Sequence, residues 1–532
     1  MHIEKSTGTQ ASSTGPSTGP PRLTVALIVR DAADLIAATL QCVQPIADQI
    51  VVVDTGSTDG TQGIAKTFGA SVIEHAWTDD FSAARNCGWD HATGDWVLWL
   101  DAGEQLTPQA AAELRSFVQT QADPSKAYML LVIVPAADDH ISGEQIGRIR
   151  LLPNRPDVRF TGRVRESVRP SLERTGLEVE GLHWRIWRTA RDHDPAVKLA
   201  RAQRDIHLVG LEIEEHGQRS VLLVALGDAL ANLGDRTSAA ACFRKALQAA
   251  SPGSTLMREA YYGLLTAHEA DESRRESRLA VCVEALEIFP LDPQLLCAMG
   301  GYLQIQGDLE LAGRAYRTAF QHGQIDPQAW HVPDIRDIAA VCFSLTCQQR
   351  NSDAEAREVL EEALRQDASS SRVRRHLIEL HVKHDRRKEA LAEFDKLPAE
   401  TPNREALRSA IRGACLASKQ NWAPALAYLQ TAYSAGCRDL LCLRWLAATL
   451  FSTGDQAAAL PILLEWQRRE PRSTELGKYL EALDAKPARV APRASQPAPL
   501  NVPPLFPTAP LPEIRLGGRS PAASAATLPV AR

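Results

Sequence analysis

The chain has 532 residues, 44% apolar and 23% charged, with 59 basic and 65 acidic side chains and a formal charge of −6. That length suggests about three or four domain-sized units, and the fractions are those of an ordinary globular protein with ample material for a core. The even charge balance excludes a dedicated polybasic nucleic-acid binder, and no apolar run reaches the ~18 to 20 residues that a membrane span needs.

The ten cysteines include no CxxC pair, and their closest spacings are Cys342 to Cys347 and Cys437 to Cys442. Structural zinc wants tighter ligand pairs, so the thiols are expected to be reduced and mostly buried. The segment MHIEKSTGTQASSTGPSTGPP lacks the apolar stretch of a secretory signal. A cytoplasmic location is expected.

In chain order, residues 1–20 are mostly Ser, Thr, Gly and Pro and are expected to be a disordered tail. Residues 21–205 then alternate strands and helices. Leu23 to Val29 (LTVALIV) is an apolar, β-rich run, and Asp34 to Gln44 has a helical pattern. Gln49 to Val53 is a second strand that runs directly into Asp54 and the polar turn TGSTDGT. Thr61 to Phe68 is helical, with Thr58 or Asp59 as its N-cap, and Gly69 stops it. Ser71 to Glu74 is a third strand, and Trp96 to Leu100 (WVLWL) is a buried strand ending at Asp101. Apolar strands separated by helices predict a mostly parallel sheet covered on both faces. Ligands bind such sheets at the carboxyl ends of the strands, where Asp54 and Asp101 both lie. The two carboxylates are expected to converge on one cleft rim. The alternative for Asp54 to Asp59 is a turn that only caps the next helix.

Residues 206–485 are helical and repeat. Ala239, Phe243 and Ala246 recur as Ala312, Tyr316 and Ala319, as Ala356, Leu360 and Ala363, and as Ala390, Phe394 and Leu397. Two further copies are Ala425, Leu429, Ala432 and Ala459, Leu463, Trp466. Leu226-Gly227 and Met299-Gly300 hold the matching place one helix earlier, and Pro252, Pro290 and Pro471 end units. This small-large pattern with a period near 34 resembles the tetratricopeptide repeat. It gives an all-α solenoid of about seven units, including a poorer one around Tyr262 to Pro290. Residues 486–532, with the run PLNVPPLFPTAPLP, are rich in Pro and Ala and are expected to be a second disordered tail.

Four motifs in the first region, VVVDTGSTDGT, TDDFSAARN, ATGDWVLWLDA and RPDVRFTGRVRES, stand in an order and spacing that resemble family 2 glycosyltransferases of GT-A fold. The subgroup is the bacterial one with tetratricopeptide repeats behind the catalytic domain, and the resemblance covers about residues 22–200. It implies a nucleotide-sugar donor and a divalent metal, Mn²⁺ or Mg²⁺. Carried over by position, Asp54 contacts the nucleobase or ribose, and Ser57, Thr58 and Asp59 shape the nucleotide pocket. Arg85 and Asn86 line the donor side. Asp101 opens the DxD signature and touches ribose and metal-diphosphate. Glu166 is the candidate base for the acceptor proton.

Three positions depart from the pattern. The signature reads Asp101-Ala102-Gly103, so the second, metal-binding aspartate is a glycine, and Glu104 is the candidate substitute ligand. The usual Lys-Asn-Glu after the first strand reads Arg30-Asp31-Ala32, and the usual His-Glu reads Arg165-Glu166. A further His-containing family segment reads His183-Trp184-Arg185. Arg148, Arg150, Arg155, Arg159, Arg163, Arg165 and Arg169 form a dense basic run. Some can replace the cation on a departing diphosphate, while most are expected on a solvated face beside acids such as Asp157 and Glu166. Trp77, Trp96 and Trp99 are read as core. The expected function is an inverting glycosyltransferase whose repeats help hold a protein or peptide acceptor. The alternative is a glycosyltransferase-like scaffold that has lost turnover and binds partners through its repeats.

Overall fold

The computed structural model describes residues 19–135, 143–189, 194–268, 275–470 and 474–484. Residues 1–18, Pro471 and the segment 486–532 lie outside the described residues, so the expected disordered tails do too, apart from Gly19 and Pro20.

The first region runs β1 (Leu23–Val29), α1 (Ile36–Val43), β2 (Gln49–Asp54), α2 (Thr61–Thr67), β3 (Ser71–Glu74) and α3 (Phe81–Asp90). It continues as β4 (Trp96–Asp101), α4 (Pro108–Thr120), β5 (Lys126–Val134), β6 (Glu144–Pro153), α5 (Arg169–Thr175) and β7 (Glu178–Trp187). The seven strands form one sheet in the order β3-β2-β1-β4-β6-β5-β7. β1 pairs in parallel with β2 and β4, β2 with β3, and β5 with β7. Only β6 runs against its neighbours β4 and β5.

Strand alternation divides the core. Leu23, Val25, Leu27 and Val29 pack with Ile36 and Leu40 of α1 and Leu114 of α4. Ala26 and Val97 pack on the other face with Trp89 of α3 and Leu172 of α5. Two helix starts differ from the sequence pattern. α1 begins at Ile36 because residues 31–35 are drawn into a turn, with Leu35 and Ile36 both donating to the Ala32 carbonyl. The residue capping α2 is Gly60, at φ +92°, rather than Thr58 or Asp59. The Asp59 carboxylate still accepts from Thr61 N at 3.0 Å.

The second region opens with α6 (Pro195–His216), so the domain boundary expected at 205/206 falls inside a helix. It continues with α7 (Ser220–Asn232), α8 (Arg236–Ala249), α9 (Thr255–His268), α10 (Arg275–Ile288), α11 (Pro293–Gln306) and α12 (Leu309–His322). Then come α13 (Ile335–Gln349), α14 (Asp353–Gln366), α15 (Ser371–Lys383), α16 (Arg387–Asp395) and α17 (Arg404–Ala417). The last are α18 (Trp422–Ser434), α19 (Leu440–Ser452), α20 (Gln456–Arg469) and α21 (Thr474–Asp484). From α7 to α20 the helices pair in sequence, and the small-large pattern explains the pairing. Phe243 of α8 is fully buried. A Cβ on Gly227 of α7 would lie 2.6 Å from its ring, so only glycine lets the two helices meet there. Gly300 and Tyr316 repeat the arrangement at 2.8 Å.

The solenoid meets the sheet domain through a shared core at one place and through backbone pairing at another, besides ion pairs. Val164, Trp77 and Phe81 share a core with Ile206 and Val209 of α6 and Leu226 of α7. At the other place, Gln145 of β6 and His331 exchange backbone hydrogen bonds of 2.9 and 2.8 Å. Beside them Gly147 N donates to the Pro327 carbonyl at 2.6 Å, and a Cβ on Gly147 would sit 2.5 Å from that oxygen.

Candidate active site

β4 places Trp99 and Asp101 two residues apart, hence on one face of the sheet. α3 covers that face. Its N-terminus is fixed by the Asp80 carboxylate, which accepts from Ala83 N at 3.0 Å. Arg85, one turn further on, is buried. Its Nη2 donates to Asp101 Oδ1 at 3.0 Å and its Nε to Glu166 Oε1 at 2.6 Å. From β6, Arg150 reaches the same place and approaches Asp101 Oδ2 at 3.5 Å. Both guanidiniums lie over the Trp99 ring, at 4.0 and 3.6 Å from its centroid. Glu166 leaves its second oxygen without a hydrogen bond among the described residues. Burial works against charge on Asp101, but Arg85, Arg150 and Arg188 outweigh it and hold the carboxyl far below the usual range. Burial likewise disfavours the Arg85 cation, and Glu166 and Asp101 reverse this. Trp99, read from sequence as core, is half-buried and serves as a platform for two cations. The period of WVLWLD was the available signal, since it puts Trp99 and Asp101 on one face. Trp96 is core as expected.

The two expected metal ligands do not fit a divalent ion. Glu104 is completely buried. Its Oε1 takes Arg150 Nη2 at 2.5 Å and its Oε2 accepts from Asp101 N at 3.0 Å. Arg150 therefore stands between the carboxylates of Asp101 and Glu104, where a cation bridging them would go. An octahedral ion needs oxygens at about 2.1 Å and usually several waters. Gly103 cannot help. Residues 101–104 form a tight turn, with Glu104 N donating to Asp101 O at 3.0 Å and Gly103 at φ +94°, a conformation that favours glycine. Burial raises the Glu104 pKa, with Arg150 opposing it. Among the described residues, no group of three or more His, Cys, Asp or Glu side chains forms a metal cage.

Asp54 does not converge with Asp101. In the ladder Asp54 pairs with Val29 and Asp101 pairs with Ile28, adjacent β1 residues that face opposite sides. Asp54 is buried, and its Oδ1 accepts from Gly56 N, Ser57 N and Gln62 Nε2 at 2.9 to 3.0 Å. Burial opposes its charge, and the bonds from Ser57, Gln62 and Gly56 bring its pKa below the ordinary value. Its Oδ2 is buried without a hydrogen-bond partner among the described residues. The rest of the turn clasps the loop after β1. Ser57 Oγ accepts from Asp31 N at 2.9 Å, Thr58 N donates to Asp31 Oδ1 at 2.8 Å, and Asp59 Oδ2 accepts from Ala33 N at 2.9 Å. Thr61 Oγ1 accepts from Ala32 N at 2.8 Å. Asn86 is occupied elsewhere, with its amide holding both backbone groups of Phe160, at 2.9 and 3.0 Å.

The basic run separates into distinct roles. Arg155 pairs with Asp157 at 2.7 Å, Arg159 with Asp90 at 2.9 Å, and Arg163 with Glu215 of α6 at 2.5 Å. Arg169 donates to Gln328 at 2.6 Å, and Arg148 is exposed. Arg165, at φ +49°, pairs with Asp228 of α7 and with Glu259 of α9, the latter at 3.3 Å. The position that departs from His is thus a tie between the Glu166 loop and the solenoid. Of the seven arginines, Arg150 is the one that meets Asp101. His183 is largely exposed, and Trp184 Nε1 donates to Glu113 at 2.8 Å, away from Asp101.

Two cavities flank the end of β7. One, of about 250 Å³, lies at the carboxyl ends of β1 and β4 and is lined by Arg30, Asp31, Ala32, Gly103, Arg188 and Arg201 among others. Sequence reasoning missed Arg188 and Arg201, because α6 is brought to the sheet only by tertiary packing. The other, of about 960 Å³, runs between β5 and β7 and the inner helices α13, α15 and α19. Trp187, Leu131, Leu345 and Leu441 line it with Arg372, Arg375, Glu379 and Arg444.

Comparison with known proteins agrees with this architecture. A family model described as glycosyl transferase family 2 matches residues 24–126, and tetratricopeptide-repeat models match residues 221–251 and 354–412. A TPR repeat-containing protein of Synechococcus elongatus is 31% identical over 315 residues, covering 56% of this chain and 75% of that protein. The chain belongs to the family 2 glycosyltransferases that carry tetratricopeptide repeats. An uncharacterized glycosyltransferase of Rickettsia prowazekii is 31% identical over 114 residues, which are 21% of this chain and 39% of that protein. The chain thus spans three quarters of the first relative and well under half of the second. A tetratricopeptide repeat protein of Parabacteroides merdae overlays 49% of this chain and 97% of its own at 16% identity, with a TM-score of 0.38, too low to carry an argument. Among the described residues no helix is long and apolar enough to cross a membrane.

Proposed function

We propose that this glycosyltransferase moves a sugar from a nucleotide-sugar donor to an acceptor, with inversion, and that the solenoid helps to hold a protein or peptide acceptor. The observation that carries the reading is the ion chain Glu166–Arg85–Asp101 at the carboxyl end of β4. In a single displacement the acceptor's nucleophilic atom bonds to the anomeric carbon and the bond from that carbon to the phosphate oxygen breaks. The electron pair leaves on the nucleoside diphosphate, and the acceptor proton goes to a base. Glu166 is that base, through the oxygen that Arg85 leaves open. Arg85 fixes its orientation and supplies positive charge beside the developing negative charge. Asp101, oriented by Arg85 and Arg150, is the donor-side acceptor of hydrogen bonds. The groove of about 960 Å³ between β7 and the solenoid, with its mixed apolar and charged lining, supports a peptide acceptor.

The scaffold reading draws on Asp54, whose bonded oxygen is fully used by its own turn. One experiment separates the two. The full chain is mixed with a panel of nucleotide sugars, and binding is followed by calorimetry and turnover by release of nucleoside diphosphate. Glu166→Gln is expected to lower kcat by about 10² or more while donor KM stays within about twofold. Asp101→Asn weakens donor binding. If no nucleotide sugar binds or turns over, the transferase reading is wrong and the scaffold reading stands.

A further inference from the structure

We propose that the solenoid holds the catalytic base in place, with Glu212 of α6 and Asp228 of α7 as positioning residues for the loop that carries Glu166. This rests on the transferase reading, in which Glu166 takes the acceptor proton. Glu166 belongs to neither a helix nor a strand. Its loop is closed at the base, where Thr161 and Ser167 exchange backbone hydrogen bonds of 3.0 Å. Five residues lie between them, and Gly162 and Arg165 among these have left-handed backbones, at φ +101° and +49°. Arginine seldom takes that conformation, so contacts around the loop have to hold it there. Ordering a loop also costs backbone entropy, which the same contacts must offset.

Three consecutive residues of the loop are gripped by the solenoid. The Arg163 N–H donates to Glu212 Oε2 at 2.8 Å, and the Arg163 guanidinium meets Glu215 at 2.5 Å, both on α6. Glu212 is itself buried and also accepts from Arg219, which fixes its carboxylate. Val164 is buried among Ile206 and Val209 of α6 and Leu222 and Leu226 of α7. Arg165 pairs with Asp228 of α7 and Glu259 of α9, because a guanidinium fork can serve carboxylates on two helices at once. The next residue is Glu166, whose Oε1 accepts from Arg85 at 2.6 Å. The Arg163 carbonyl accepts from Phe81 N at 3.0 Å, at the start of α3, the helix that carries Arg85. The loop therefore sets the base against Arg85 from the solenoid side. An acceptor held on the solenoid would meet a base fixed to the same body, and proton transfer depends steeply on such placement.

The test uses the full chain, the nucleotide sugar that it turns over fastest, and release of nucleoside diphosphate. Asp228→Arg sets a like charge against Arg165 and is expected to lower kcat by about tenfold while donor KM stays within about twofold. The charge swap Arg165→Asp/Asp228→Arg is expected to restore most of that loss. Glu212→Leu should lower kcat similarly, and Glu212→Gln, which keeps an oxygen for the Arg163 N–H, should recover most of it. The deciding measurement repeats Asp228→Arg in the Glu166→Gln background. With the base gone its placement no longer matters, so the further fall in kcat should be less than about twofold. Circular dichroism confirms folding, and the half-buried Asp228 carries the test where Glu212→Leu does not fold. If Asp228→Arg leaves kcat unchanged, or costs as much with Glu166→Gln as without it, the positioning role is overturned while turnover by the unaltered chain keeps the transferase reading. If the unaltered chain turns over no nucleotide sugar, both readings fall.

Discussion

Arg150→Met is the most informative single change for the stability of the site. It keeps an unbranched stem on Trp99 and removes the charge between Asp101 and Glu104. Glu104 has no exposed surface, so its carboxylate would be left without its 2.5 Å partner. Breaking a buried pair from one side costs about 3–5 kcal/mol. The Asp101 N–H still donates to Glu104, and Arg188 remains 3.8 Å away, which favours the lower end of that range. With a urea slope of about 2 kcal/mol/M, ~3 kcal/mol moves the unfolding midpoint down by roughly 1.5 M. The penalty depends on pH. Burial already raises the Glu104 pKa, and Arg150 is the main opposing charge. Removing Arg150 raises it further. An acid whose folded pKa lies above its unfolded value keeps its stability at low pH and loses it as pH rises through the folded pKa. The loss should therefore be smallest below the ordinary glutamate value of 4.5 and grow as pH rises above it. Urea titration of the full chain, followed by tryptophan fluorescence, reads this out. The double variant Arg150→Met/Glu104→Leu should recover most of the loss. A loss below about 1 kcal/mol that is independent of pH, with no recovery in the double variant, refutes the buried-pair reasoning.

Three further outcomes are expected. Gly147→Ala forces a Cβ against the Pro327 carbonyl and the Met129 sulfur, at 2.5 and 2.6 Å. It should cost about 1–3 kcal/mol and raise hydrogen exchange in residues 323–334, and unchanged exchange there would disprove the junction. Arg165→Ala releases the Glu166 loop from Asp228 and Glu259. These pairs are partly exposed, so stability should change by less than about 1 kcal/mol, while kcat falls several-fold at constant donor KM. An equal effect on both kinetic constants would argue against a positioning role. Asp101 has a pKa below its ordinary 3.8, so it contributes stability above that value that is lost as pH falls. Asp101→Asn should flatten the acid side of the Tm profile, and an unaltered profile would show that Asp101 is not held ionised.

The sequence by itself determined the elements and their class. Continuous apolar runs such as Leu23–Val29 have no polar face to expose, so they specify central strands of a covered sheet. The alternation of Gly227 or Ala239 with Phe243 specifies helix pairing, because a ring fits only where a small residue faces it. Local motifs also placed Arg85, Asp101 and Glu166 in one list, and the fold brings these three into one ion chain. What sequence could not decide was direction and company. Asp54 and Asp101 both end strands, yet a one-residue difference in ladder register turns their carboxylates to opposite faces. Glu104 reads as a spare ligand, but a tight turn folds it into the core against Arg150, which lies on a strand 46 residues away. Arg188 and Arg201 carry no motif. They reach the cavity because β7 and α6 pack beside the ends of β1 and β4, and no local pattern encodes contacts made across that distance. Tertiary packing, by choosing which charges share a low-dielectric space, determined the chemistry of the site.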